Sequence, residues 1–258
     1  MLLAIDVGNT NVTFAVYDGN RLVADWRVSA DSRRTSDEYA VLIAGLAQQE
    51  SLSLSQLTDF ALCSVIPRAI DPLLGFARKR LGISDPFLLS PEIDLGITVH
   101  YQPPTDVGAD RLANAVAAHA LYSGPVVVVD MGTATTFDAI AENGDYLGGA
   151  ISPGMEVSLE ALVSKAAQLR RVRLTPPPAA VGTTTVASLQ SGMIYGYAGQ
   201  VDGIVAKFQE EMGGNAYVVA TGGLAELVAP HSRCIREVNP TLTLEGLRLA
   251  YARYRSKD

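Results

Sequence analysis

The feature that most constrains this chain is that the opening of its first half is echoed in its second. Residues 2–6 are an apolar run leading into Asp6-Val7-Gly8-Asn9-Thr10-Asn11, then residues 12–17 and the turn pair Asp18-Gly19. Residues 126–130 are an apolar run leading into Asp130-Met131-Gly132-Thr133-Ala134-Thr135, then residues 136–141 and the turn pair Asn143-Gly144. Asp6 and Asp130, like Gly8 and Gly132, stand at one common offset, close to half of the 258-residue chain. Each copy reads as strand, Gly-Thr turn, strand, tight DG or NG turn and strand, so each opens a β-meander. Two similar α/β domains are the simplest account, and we place them at 1–117 and 118–258.

After each meander the pattern changes to helix and strand in alternation. In the first half, helices over 37–49 and 68–81 flank a buried strand over 59–65. In the second, helices are expected over 155–169, 185–212, 224–228 and 242–254, with a short strand over 216–220 before Thr221-Gly222-Gly223. A helix over 110–122 bridges the halves, and no low-complexity linker separates them. Pro103-Pro104 and Pro176-Pro177-Pro178 read as exposed loops, because consecutive prolines cannot donate to helix or sheet.

The charge balance narrows the partners. A formal net charge of −7 argues against nucleic acid or an anionic membrane, both of which need a positive field. No run approaches the ~20 apolar residues of a membrane span, and no basic region precedes the first apolar run. A soluble cytoplasmic protein is expected. Cys63 and Cys234 lack any disulfide or zinc spacing and read as small buried residues. His100, His119 and His231 lack metal-ligand spacing.

The familiar nucleotide and hydrolase signatures are missing: no GxxxxGK[ST], no GxGxxG after a strand, no GxSxG and no HExxH. Chemistry here falls to Asp, Gly and Thr. In the first turn Gly8 permits tight curvature, while Asn9, Thr10, Asn11 and Thr13 offer amides and hydroxyls. Backbone N–H groups in such a turn can cradle phosphate oxygens, and Asp6 can hold Mg²⁺ directly or through water. An ordinary polar hairpin is the bland alternative, and the second copy at Asp130-Met131-Gly132-Thr133 weighs against it. Thr221-Gly222-Gly223, between a strand and a helix, suits the adenosine end of a nucleotide. Gly108-Ala109-Asp110-Arg111 opens a helix, where Asp110 serves either as a cap or as acceptor of a substrate hydroxyl proton.

Taken together these pieces resemble the type III pantothenate kinases, a family within the superfamily of acetate and sugar kinases, heat-shock chaperones and actin. The resemblance is carried by Asp6-Val7-Gly8-Asn9-Thr10-Asn11-Val12-Thr13, Tyr101, Gly108-Ala109-Asp110-Arg111 and Asp130-Met131-Gly132-Thr133-Ala134. Gly148-Gly149-Ala150-Ile151-Ser152-Pro153-Gly154, Thr185 with Gln190-Ser191-Gly192, and Thr221-Gly222-Gly223 complete it. These run in order across nearly the whole chain. The resemblance implies an α/β fold of two ribonuclease-H-like, actin-like domains with a nucleotide cleft between them, and a homodimer. The implied reaction moves the ATP γ-phosphoryl group to the 4′-hydroxyl of pantothenate, the first step of coenzyme A synthesis.

The same resemblance implies roles. Asp6, Val7, Gly8, Asn9, Thr10, Asn11, Val12, Thr13 and Thr133 would contact ATP with its Mg²⁺. Asp110 would be the proton acceptor. Tyr101, Gly108, Ala109, Asp110, Arg111 and Thr185 would meet pantothenate, and Asp130 would bind a monovalent cation, K⁺ or NH₄⁺. The family usually reads Gly-Lys-Asn-Thr before its Gln-Ser-Gly, whereas this chain has Gly182-Thr183-Thr184-Thr185. Thr185 is therefore assigned by its register with Gln190. Two alternatives remain at this level: a phosphotransferase acting on another small alcohol or acid, and a non-catalytic nucleotide-binding regulator.

Overall fold

Each meander is built as expected, and each seeds one five-stranded sheet. The computed structural model describes residues 1–256; Lys257 and Asp258 lie outside the described residues. β1 (Leu2–Val7), β2 (Asn11–Asp18) and β3 (Arg21–Ser29) run antiparallel, and β4 (Asp59–Ser64) adds to β1 in parallel. β5 (Phe87–Leu88) closes the order β3-β2-β1-β4-β5. In the second sheet β6 (Val126–Met131), β7 (Ala134–Ile140) and β8 (Tyr146–Pro153) repeat the antiparallel set. β9 (Tyr217–Thr221) pairs β6 in parallel and β10 (Glu237–Val238) pairs β9, giving β10-β9-β6-β7-β8. The echo therefore extends beyond the motifs to the whole pairing scheme.

The helices follow from apolar spacing and local caps. α1 (Ser36–Gln49) starts on a capping box in which the Thr35 side chain accepts from the Glu38 N–H and the Glu38 carboxylate accepts from the Thr35 N–H. α2 (Pro67–Arg80) opens with Pro at its first position, where no N–H is needed. Tyr39 and Ile43 of α1 and Leu73 and Phe76 of α2 bury against Leu3, Ile5, Val7, Val12 and Phe14. α3 (Ala109–Leu121) follows the Pro-Pro loop. In the second sheet, Val127, Val129, Met131 and Phe137 meet Ile194, Ala198, Val201 and Val205 of α5 (Thr185–Glu211). α4 (Met155–Lys165) and the short α6 (Ala225–Val228) complete that unit. α4 stops four residues before the expected 169, at Ala166 with extended backbone. Pro177, expected in an exposed loop, is buried.

The chain divides into two compact units, but not at one cut. The first takes Met1–Ile97, Tyr101–Ala117 and the last helix; the second takes Thr98–His100 and Ala118–Thr241. α7 (Leu242–Arg255), expected with the second half, packs on β1 and β4 of the first. Its Leu242, Leu247 and Ala250 are buried, and the Tyr251 hydroxyl donates to Asp59. Gly246 lies so close to the Ala113 carbonyl of α3 that no side chain fits between them. The Thr243 hydroxyl donates to the buried Asn114 at 2.8 Å.

Candidate active site

In the first unit, the carboxyl end of β1 delivers Asp6 and the turn that follows it. The Gly8 N–H donates to the Asn11 carbonyl at 2.9 Å, closing the turn, and the Ala30 N–H donates to the Thr10 carbonyl at 2.9 Å, tying it to the exit of β3. Asn9, Thr10 and Asn11 are exposed. Val7 and Val12, by contrast, are in the core, and only their backbone is available to a ligand.

Asp6 has a neighbour that sequence reading passed over. Its register partner on β4 is Cys63, which is fully buried. Burial, then the carboxylates of Asp6 and Asp110, push the thiol well above its usual range, and the thiol donates to Asp6. Cys63 thus marks the place where two carboxylates expected to be functional approach the same strand end.

Asp110 sits in the first turn of α3, its carboxylate lying over Gly108 and accepting the Arg111 N–H at 2.8 Å. Burial raises its carboxyl above the usual aspartate range, and Arg111 offsets only part of that shift. Arg111 is itself buried. Desolvation makes a carboxylate a stronger proton acceptor and the guanidinium only partly offsets this, which suits general-base work. Tyr101 stands half-buried ahead of a loop that contains the cis bond Gln102–Pro103 and leads to Gly108.

In the second unit the end of β6 delivers Asp130, opposite Thr136 on β7 and alongside Thr221 on β9. Gly222 has φ +90°, and a Cβ there would come within 2.5 Å of the Asp130 Oδ1 and 2.6 Å of the Met131 nitrogen. The Thr-Gly-Gly turn is therefore pressed onto Asp130 in a way only glycine permits. The turn itself is closed by the Gly132 N–H donating to the Ala134 carbonyl at 3.0 Å. Thr133 is exposed, while its carbonyl accepts from the Gly154 N–H at 3.0 Å. Tyr197 braces the same place from α5, its hydroxyl 2.8 Å from the Pro153 carbonyl.

The three threonines before α5 also separate. Thr184 caps the helix, its hydroxyl accepting the Ala187 N–H at 3.2 Å, whereas Thr185 is the exposed first helical residue. Gln190 and Ser191 hold the preceding segment along the helix: the Gln190 amide donates to the Arg173 carbonyl and Thr175 hydroxyl, each at 2.9 Å, and Ser191 donates to the Ala180 carbonyl at 2.5 Å. A cavity of about 320 Å³ lies nearby, lined by Leu159, Arg171, Arg173 and Leu224 among others.

Among the described residues, no cluster of three or more His, Cys, Asp or Glu could hold a metal alone. A single carboxylate suits Mg²⁺ that brings phosphate and water ligands with it, since Mg²⁺ is commonly held by one or two carboxylates plus substrate phosphates.

Comparison with known proteins follows the same lines. A family model described as type III pantothenate kinase matches residues 2–207. The type III pantothenate kinase of Moorella thermoacetica is 49% identical over 253 residues, covering 98% of this chain and 99% of that protein. That of Geotalea daltonii is 47% identical over 255 residues, covering 99% of each. Among solved structures, the activator of the 2-hydroxyisocaproyl-CoA dehydratase from Clostridium difficile with bound ADPNP aligns with a TM-score of 0.58 at 11% identity, over 99% of this chain and 96% of that one. At that identity the likeness speaks to the fold alone, and it bears out the two-domain, actin-like α/β class.

Proposed function

The chain belongs to the type III pantothenate kinase family, and from that premise we propose how its residues divide the work of the reaction. A pantothenate kinase moves the ATP γ-phosphoryl group to the 4′-hydroxyl of pantothenate. In our reading, Asp6, Gly8, Asn9, Thr10, Asn11 and Thr13, with the backbone of Val7 and Val12, grip the triphosphate, and Thr133 grips it from the second turn. Tyr101, Gly108, Ala109, Arg111 and Thr185 hold pantothenate, and Asp110 accepts the hydroxyl proton.

The half-buried carboxylate of Asp110, lying over Gly108 and accepting the Arg111 N–H, is the observation that carries this reading. As the 4′-oxygen forms its bond to the γ-phosphorus, its proton passes to Asp110. The bond from that phosphorus to the β–γ bridging oxygen breaks, and ADP leaves. Such a transition state is loose, so alignment and charge neutralisation matter more than covalent help. Asp6 would hold Mg²⁺, which would supply part of that neutralisation. K⁺ or NH₄⁺ at Asp130 would supply more, a reading supported by the absence of Lys or Arg from both phosphate turns. Leu224, next to the Thr-Gly-Gly turn, also lines the 320 Å³ cavity, which favours the base end of the nucleotide there.

We read the active species as a homodimer in the cytoplasm. Leu147 and Ile151 on β8, with Val157 and Leu162 on α4, are exposed apolar side chains of one unit, and Gly192, Gly196 and Gly199 form a bare stripe on α5. Large exposed apolar residues on one unit are compatible with a protein partner. Among the described residues, no helix is long and apolar enough to cross a membrane. The net charge of −7 weighs against nucleic acid or anionic lipid as a partner. The deciding experiment is ATP consumption by purified protein with pantothenate, glucose or acetate. Turnover with pantothenate alone is expected; turnover of glucose or acetate without pantothenate would overturn the substrate.

A further inference from the structure

Three residues, Thr98–His100, leave the first unit and are laid on the end of the second sheet. Val99 bridges Tyr146 in parallel, the Tyr146 N–H donates to the Thr98 carbonyl at 2.8 Å, and the His100 N–H donates to the Tyr146 carbonyl at 2.9 Å. Tyr146 is a firm anchor, being fully buried with its hydroxyl donating to Asp138 at 2.8 Å. These backbone bonds alone account for the attachment.

Asp145 adds something they do not require. One carboxylate oxygen accepts the Thr98 N–H at 3.2 Å; the other accepts His100 Nε2 at 3.0 Å and the Asn143 amide at 3.1 Å. The His100 contact comes first among the causes that hold the Asp145 carboxyl down at about 2. Asp145 is thus ionised and offers only acceptors, so Nε2 carries the proton in this pair. The His100 side chain is 51% exposed, and pairs so open to water add little to stability. What the pair does fix is direction, because His100 is the last residue before Tyr101.

We propose that the Asp145–His100 pair is a positioning clasp: it fixes the chain at the start of the loop that carries Tyr101, and so sets affinity for pantothenate without touching it. This rests on the reading that Tyr101 meets pantothenate. A tethered residue has less conformational entropy to lose when substrate arrives, and that loss is a main cost of ordering a loop. The clasp meets part of that cost in advance.

Steady-state kinetics on the full-length chain test this with four variants. His100→Ala and Asp145→Ala should each raise the KM for pantothenate by about three- to fivefold, the scale of an exposed charged pair. KM for MgATP, kcat and Tm should hold, and the double variant should be no worse than either single one. His100→Gln, which keeps a donor for Asp145, should recover most of the loss. Tyr101→Ala is the reference: if pantothenate KM ignores it, the substrate reading of Tyr101 falls and the clasp with it. If Tyr101→Ala raises that KM while the His100 and Asp145 variants do not, the clasp alone is overturned. Parallel rises in both KM values with a fall in Tm would reduce the pair to a structural contact and overturn it equally.

Discussion

The backbone N–H of Gly154 donates to the carbonyl oxygen of Thr133 at 3.0 Å, so the entry to α4 rests directly on the turn that follows β6. A Cβ at residue 154 would be driven into the Gly132 and Thr133 carbonyls, which are backbone and cannot swing aside. Gly154→Ala should therefore displace the turn, and shifts near 1 Å at reacting groups can cost ~10²-fold in rate. We expect kcat/KM for ATP to fall at least tenfold. Gly45→Ala, on an exposed face of α1 with nothing near the new Cβ, is the control. It should stabilise the fold by ~0.5–1 kcal/mol and leave kinetics alone.

Asp110→Asn should separate the proposed proton transfer from folding. Burial raises this carboxyl, so the folded chain binds the proton more tightly than the unfolded chain does. Stability from this group therefore falls as pH rises from the ordinary carboxylate range to the raised native value, and stays lower above it. Asparagine never carries the charge and removes that cost. Thermal scans at neutral pH should give the variant a Tm equal to or above the parent's, while kcat drops ~10²–10⁴-fold. In the parent, the acid limb of the kcat/KM profile should lie above the usual aspartate range. Near-normal kcat in the variant would remove Asp110 from the chemistry.

A monovalent cation should be needed. Assays in Tris or Na⁺ buffer, with K⁺ added at constant ionic strength, should show activity rising with K⁺ or NH₄⁺ and not with Na⁺. Asp130→Ala should abolish that response. A flat response in the parent protein would eliminate the cation and leave the kinase standing.

The glycine stripe on α5 makes a prediction of opposite sign for monomer and dimer. Cβ atoms at Gly192, Gly196 and Gly199 would meet nothing within one chain. If α5 were solvated in the active species, Gly196→Ala would simply gain helix stability of about 1 kcal/mol. Packed against a second copy, Gly196→Leu should shift sedimentation toward monomer and lower activity together. A Gly196→Leu variant that remains dimeric and active would take the stripe out of the interface.

How much of this was legible in the sequence depended on the range of each signal. Both meanders could be read because Asp6 and Asp130, the Gly-Thr turns and the Asp-Gly or Asn-Gly pairs are all local. Expected helix ends fell within a residue or two except in α4, where Ala-Ala-Gln-Leu has helical propensity but the chain turns at Ala166. Propensity is a weak prior there. β5 and β10, two residues each, are too short to carry an alternation. α7 announced a buried face but not its host, since amphipathicity is the same on either sheet; the Gly246–Ala113 approach that fixes it is wholly non-local. Cys63 was hidden for a similar reason. In Phe-Ala-Leu-Cys-Ser it reads as core, and its place beside Asp6 appears only once β4 pairs with β1 in parallel.

The placement of α7 also sets an order of events on the ribosome. All the residues of the second unit lie before residue 242, so that unit can close while synthesis continues. The first unit cannot. Its β1 and β4 are the strands that α7 packs on, and their contact with α7 waits until residues 242–255 emerge with the buried Leu247 and Ala250. Domains usually close in the order they are made. Here the sheet translated first is the last to be sealed, and a nascent chain halted before α7 would carry Asp6 and Asp110 on an open, sticky half.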